Sequence, residues 1–239
     1  MKNAICLICN KPNIIWFQFL STFQHYDIYV IIDDNDHDYE YFSKTFPSIN
    51  FIQIKNEHCV CDGFSNLNFI ALRKQVSGWE KALYYFAHIM KNYEYIWFME
   101  DDVYFYDENT LATIDKKYEN IDLLCNSSFE EANLHEWLWH MIQINFDPPY
   151  FCGMMCIVRF SHEMMQSIKD YATKYNTLCF LEACYPTIAV KYNLTYIKSP
   201  EEFLSVTHRD SHNIDALNKN YLYHPVKNIN QHIEARNRC

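Results

Sequence analysis

The sequence predicts an α/β fold, a single domain with a mostly parallel central sheet and helices on both faces. Three observations predict it. The runs Ala4–Cys9, Ile28–Ile32 and Tyr95–Met99 carry no charge, are too short for helices and lack the alternation of a half-exposed strand. Segments with helical spacing separate them. Carboxylates gather just past two strand ends, at Asp33-Asp34 and at Glu100-Asp101-Asp102, on the edge where open α/β sheets bind ligands.

In chain order, Ala4–Cys9 is the first strand. Pro12 can open a helix, where its missing N–H costs nothing, and Ile15, Phe19, Leu20 and Phe23 fall on one face. Ile28–Ile32 is the second strand and Phe51–Ile54 the third. Cys59–Val76 shows little periodicity and reads as a loop. Ser77-x-x-Glu80 is a capping box, and Trp79, Ala82, Leu83, Phe86, Ala87 and Met90 form the apolar stripe of the helix behind it. The strand Tyr95–Met99 follows, so the acidic triplet ends a strand that a crossover helix precedes.

Downstream, Ile121–Cys125 and Phe151–Val158 read as strands, with the Trp- and His-rich stretch Leu134–Ile144 between them. Ser161–Tyr175 is a helix with Met164, Met165, Ile168 and Tyr171 facing inward. Glu182 begins another helix, with Pro186 in its first turns, and Leu194–Ile197 is a short strand. From Pro200 the chain is polar and carries His208, His212 and Tyr223-His224-Pro225-Val226-Lys227. No repeat or low-complexity linker appears. The expected organisation is one domain in two halves, about 1–106 and about 107–239.

Bulk properties remove several classes of function. The 239 residues carry a net charge of −10 and no basic stripe, so a nucleic-acid groove is not expected. The three glycines, Gly63, Gly78 and Gly153, are too far apart for a dinucleotide fingerprint, a P-loop or a nucleophile elbow. The ten cysteines sit mostly in apolar segments and read as reduced thiols acting as small hydrophobes. No secretory h-region follows Met1 and no run approaches a membrane span, so a cytoplasmic protein without a transmembrane segment is expected.

Three adjacent carboxylates repel one another, and sheet packing does not ask for them. A hard divalent cation with oxygen ligands offsets that repulsion, and in an acidic chain it could also bridge to a phosphate. A solvated acidic turn is the alternative. Asp33 and Asp34 are either ligand-reading groups or a turn.

With these pieces in place, the chain resembles the GT-A-fold glycosyltransferases. Their hallmark is a D-x-D-type acidic motif at a strand end, matched here by Glu100-Asp101-Asp102. The resemblance implies a nucleotide-binding half and an acceptor-binding half around one sheet. It implies a Mn²⁺ or Mg²⁺ ion held against the diphosphate of a nucleotide sugar, UDP-linked by expectation. Carried over residue by residue, Asp102 is the direct metal ligand, and Glu100 or Asp101 contacts the ribose or reaches the metal through water. Asp33 or Asp34 reads the base or ribose. His224 completes the metal shell, with His208 and His212 as competitors. Glu182 is the acceptor-side general base of an inverting transfer to a hydroxyl of a glycan or other acceptor, although the Glu-Asp pair common there is absent, since Ala183 follows it. A metal-dependent nucleotidyltransferase and a non-catalytic nucleotide-sugar binder are the competing readings.

Overall fold

The computed structural model describes residues 2–197, 203–207 and 212–238. His208 lies outside the described residues. Strand β1 (Lys2–Cys9) is followed by α1 (Ile14–Leu20), β2 (Tyr26–Ile32), α2 (Glu40–Thr45), β3 (Ile49–Ile52), α3 (Asn56–Cys61), α4 (Gly78–Ile89) and β4 (Tyr93–Glu100). Then come α5 (Glu108–Lys117), β5 (Leu123–Glu131), β6 (Phe151–Ser161), α6 (His162–Tyr175), α7 (Leu181–Lys191), β7 (Leu204–Val206), β8 (Leu222–His224) and α8 (Ile229–Asn237).

Six strands form one sheet in the order β3-β2-β1-β4-β6-β5, and β7 and β8 form a separate pair. The three pairings among β3, β2, β1 and β4 are parallel. Strand β6 runs antiparallel to both β4 and β5. Side chains of a strand alternate between the faces, and here both faces are covered. Ala4, Cys6 and Ile8 enter the core under α4, α6 and α7. Ile5, Leu7 and Cys9 enter the core under α1, α2 and α5. The uninterrupted apolar runs follow directly from this double covering. So does the failure of the pattern to reveal that β6 is reversed, because a strand buried on both faces reads alike in either direction.

Three local expectations are corrected. Helix α1 begins after Asn13, whose Oδ1 accepts from the Ile15 N–H at 3.0 Å, so Asn13 caps it while Pro12 stays outside and Phe23 lies past its end. The Cys59–Val76 stretch contains the end of α3, then closes on Asn66, whose Oδ1 accepts from the Arg73 N–H at 2.8 Å. Leu194–Ile197 contributes only an isolated bridge, Tyr196 to Leu123.

The Ser77–Glu80 capping box forms as expected. Glu80 also accepts from the Leu67 N–H, fastening the preceding loop to the helix. At Gly78 an added Cβ would sit 2.6 Å from Ile8 Cγ2 and 3.4 Å from Asp33 Cβ. Only glycine lets the start of α4 press this closely onto the ends of β1 and β2. No helix among the described residues is long and apolar enough to cross a membrane, and the nine described cysteines are free thiols.

Candidate active site

The chain turns immediately after β4, where the Val103 N–H donates to the Glu100 carbonyl at 3.2 Å. The turn leaves the Asp101 residue exposed, with its carbonyl accepting the Trp16 indole N–H at 2.7 Å. Glu100 and Asp102 instead face a common point. Opposite them the chain returns from its C-terminal end. Tyr104 and Tyr223 exchange both backbone hydrogen bonds at 2.8 Å, and the Val226 N–H donates to the Asp102 carbonyl at 2.7 Å. This pairing sets His224 over the acids. Its Nε2 lies 3.1 Å from Asp102 Oδ1 and 3.4 Å from Glu100 Oε2. One potential ligand atom from each of the three falls within 4.8 Å of the others.

The surrounding structure fixes each member. The Trp79 indole N–H donates to Glu100 Oε1 at 2.9 Å, so a residue that reads as helix core also orients an acid. Helix α8 clamps the return strand. Buried His232 contacts the Val226 carbonyl at 2.8 Å through Nε2, and its ring meets Trp16 and Tyr104 edge-on. Arg236 donates to the Phe105 carbonyl at 3.0 Å and lies 3.4 Å from the Phe19 ring centroid. Nothing in the polar tail's sequence announced this helix.

The electrostatics are those of an anionic site that favours a cation. Burial works against a charged His224, but Asp102, the neighbouring Cys156 thiol and Glu100 outweigh it and push the imidazole up to about 12. Asp102 Oδ1 is buried and makes no hydrogen bond of good geometry. Two carboxylates and one imidazole, with an under-satisfied buried carboxylate oxygen, are a donor set that suits a divalent cation.

Glu182 stands in the first turn of α7, as expected. Burial, followed by the negative charge of Glu100, raises its carboxyl to about 7. That coupling puts Glu182 within the electrostatic reach of the three-residue cluster.

The other candidates lie elsewhere. Asp33 ends β2 and pairs with the fully buried Lys81 ammonium at 2.5 Å. Asp34 is engaged within its own loop, accepting from the Tyr39 hydroxyl at 2.7 Å and the Asp36 N–H at 2.8 Å, with the His37 ring at 2.8 Å. Those bonds hold its carboxyl well below the usual range. The His212 ring contacts the His224 carbonyl at 3.1 Å and packs on Tyr223, so it braces the ligand strand from behind. A cleft of about 620 Å³ lined by Lys91, Glu94, Tyr95 and Asp122 opens away from this cluster. There Asp122 is already bound by Ser161 and Thr195, and the chemistry concentrates at Glu100, Asp102 and His224 instead.

No protein-family profile and no curated protein matches the sequence. Solved structures do match the fold. Mouse xyloside xylosyltransferase 1, in its apo form, superposes with a TM-score of 0.50 at 10% identity, over 93% of this chain and 97% of that one. An active-site mutant of LgtC gives 0.54 at 8% identity, over 99% and 95%. The apo WbbM bifunctional glycosyltransferase gives 0.53 at 10% identity, over 98% of this chain and 49% of that one, so this chain spans about half of it. The chain has the GT-A glycosyltransferase fold.

Proposed function

We propose that this protein is a metal-assisted glycosyltransferase. It moves a sugar from a nucleoside diphosphate sugar, UDP-linked in the first instance, to a hydroxyl acceptor with inversion. The observation that carries the reading is the convergence of Glu100, Asp102 and His224 at the end of β4 within a GT-A fold. Residues 1–106 form the donor half and residues 107–239 the acceptor half, with His224 returning from the second to complete the site of the first.

Asp102 and His224 would hold the metal directly, and Glu100 would join them or contact the ribose. A bound Mn²⁺ or Mg²⁺ would supply positive charge against the departing diphosphate. Trp79 holds Glu100 in place. Asp33, beside Gly78 at the end of β2, is the candidate group for the base or ribose, and Lys81 fixes its direction. Asp34 shapes the loop next to it.

Glu182 takes the proton of the acceptor hydroxyl as that oxygen attacks the anomeric carbon. A base works best when its pKa lies near the working pH, and a carboxyl raised to about 7 meets that condition.

The test is isothermal calorimetry with UDP, GDP and their sugar conjugates, with Mn²⁺ and in EDTA, followed by NMR of the product's anomeric configuration. Metal-dependent nucleotide binding and an inverted product are expected. Equal nucleotide binding in EDTA removes the metal role, and a retained product removes Glu182 as base.

A further inference from the structure

The connection between β5 and β6 exposes four large apolar side chains: Leu134 at 41%, Trp137 at 52%, Leu138 at 38% and Met141 at 50%. Exposed apolar groups in one segment, with exposed His135, Glu136 and His140 among them, are the composition of a binding surface. The two tryptophans of this segment have separate roles. Trp139 packs against the core beneath α4, α6 and α7. Trp137 does not. Its backbone has φ of +44°, a region that a bulky residue enters only when its surroundings force it, and such strain gathers at ligand sites.

The Trp137 ring is nevertheless held in place. It meets Trp139 at 4.7 Å in a T-shape and Phe180 at 5.5 Å. Phe180 is the N-cap residue of α7, two positions before Glu182. The exposed indole is therefore continuous, through one ring contact, with the helix turn that carries the candidate base. A molecule presenting a hydroxyl to Glu182 would extend from that turn, and the Trp137 indole is the flat apolar surface that reaches it through Phe180.

We infer that Trp137 is the acceptor platform, on which a sugar ring of a glycan or glycoside acceptor lays its C–H face. The inference rests on the glycosyltransferase reading and names the acceptor class for the same site. The indole face is electron-rich and attracts the positively polarised C–H groups of a pyranose. The neighbouring His135, Glu136 and His140 offer donors and acceptors to the hydroxyls at the ring edge. A lipid bilayer is the less favoured occupant of the patch. The net charge of −10 opposes an anionic surface, and a single ring clamped by Trp139 and Phe180 suits a discrete ligand.

The experiment is saturation-transfer NMR with phenyl and octyl β-glycosides of glucose, galactose, xylose and N-acetylglucosamine, in the presence of UDP and Mn²⁺. At least one glycoside should receive saturation on its sugar-ring protons. Trp137→Ala should weaken that binding about tenfold, the scale of one aromatic stacking contact. Trp137→Phe should restore most of it, while UDP affinity by calorimetry and the melting temperature stay at the parent values. If UDP and Mn²⁺ bind but no glycoside does, the platform is wrong and the donor reading stands. Unchanged glycoside binding in Trp137→Ala also overturns it. Trp137-dependent binding to phosphatidylcholine vesicles without glycoside binding reassigns the patch to a membrane. Failure of both UDP and GDP to bind the parent in the presence of Mn²⁺ removes the glycosyltransferase reading itself, and the platform with it.

Discussion

Replacing Glu182 by glutamine should make the protein more stable and nearly inactive, and both effects follow from one number. The Glu182 carboxyl is raised from the ordinary glutamate value of 4.5 to about 7 by burial and by the charge of Glu100. Below pH 4.5 the group is protonated whether the chain is folded or not, and it costs nothing. Between pH 4.5 and 7 the unfolded chain ionises at Glu182 while the folded one keeps its proton, so the contribution of this group to native stability falls as pH rises. Above pH 7 the loss is complete. At about 1.36 kcal/mol per pH unit it amounts to roughly 3 kcal/mol. Glutamine cannot ionise and escapes this cost.

In a chain of this size 1 kcal/mol moves the melting temperature by about 2–4 °C. Glu182→Gln should then melt roughly 6–12 °C above the parent at pH 8 in EDTA, and level with it at pH 4. Its transfer rate should fall about 10²–10⁴-fold, the usual contribution of a general base. With a metal offsetting the charge of Glu100, burial still holds the carboxyl above the ordinary glutamate value, so the parent's kcat/KM should climb with pH through the range just above that value and then level off. Melts across pH and a pH-rate profile check all three. A parent rate that is flat through that range, or a variant turning over near the parent rate, would refute the base role. Equal melting temperatures at pH 8 would refute the burial argument beneath it.

Further outcomes are expected. His224→Ala should weaken Mn²⁺ affinity by at least about 10–100-fold by calorimetry, the scale for loss of a partner one step removed from a metal, while His212→Ala should do less, since the His212 ring meets the backbone carbonyl of His224 and the Tyr223 ring and not the three-residue cluster. His232 is held down to about 4, chiefly by burial. Its neutral form suits the fold, so its contribution to stability is intact above pH 6.5 and is lost, by about 3 kcal/mol, as pH drops to 4, opposite in sign to that of Glu182. His232→Gln removes that loss, so in urea titrations the variant should gain about 3 kcal/mol on the parent between pH 7 and pH 4. Asp33→Ala strands the buried Lys81 ammonium and should cost about 3 kcal/mol. Adding Lys81→Met should recover much of this loss in a double-mutant cycle, and no recovery would show that the pair is not the source of the cost.

The layered fold was legible in the chain because burial on both faces leaves strands with no polar position, as in Ile5-Cys6-Leu7-Ile8. Strand direction was not legible, because β6 shows the same pattern whichever way it runs. Glu100 and Asp102 were legible because adjacent charges at the end of an apolar strand have no role in packing. His224 became a candidate through the family resemblance, and the structure brings it to the acids by backbone pairing over a separation of more than one hundred residues, which no local pattern encodes. Trp79 was read as core because its helical spacing is that of a core residue, and that spacing says nothing of its indole N–H. Helix α8 was missed because its inward face is made of His232, Ala235 and Arg236, without the apolar stripe that marks a helix. Asp33 and Asp34 looked equivalent in sequence, and only their partners separate them.

The most direct test of the metal-bridged site is calorimetry of UDP binding to Asp102→Ala and to the parent, each with Mn²⁺ and in EDTA, with circular dichroism confirming the fold. The parent should bind UDP in Mn²⁺ and lose that binding in EDTA, and folded Asp102→Ala should behave in Mn²⁺ as the parent does in EDTA. Folded Asp102→Ala that binds UDP in Mn²⁺ as tightly as the parent would contradict the account.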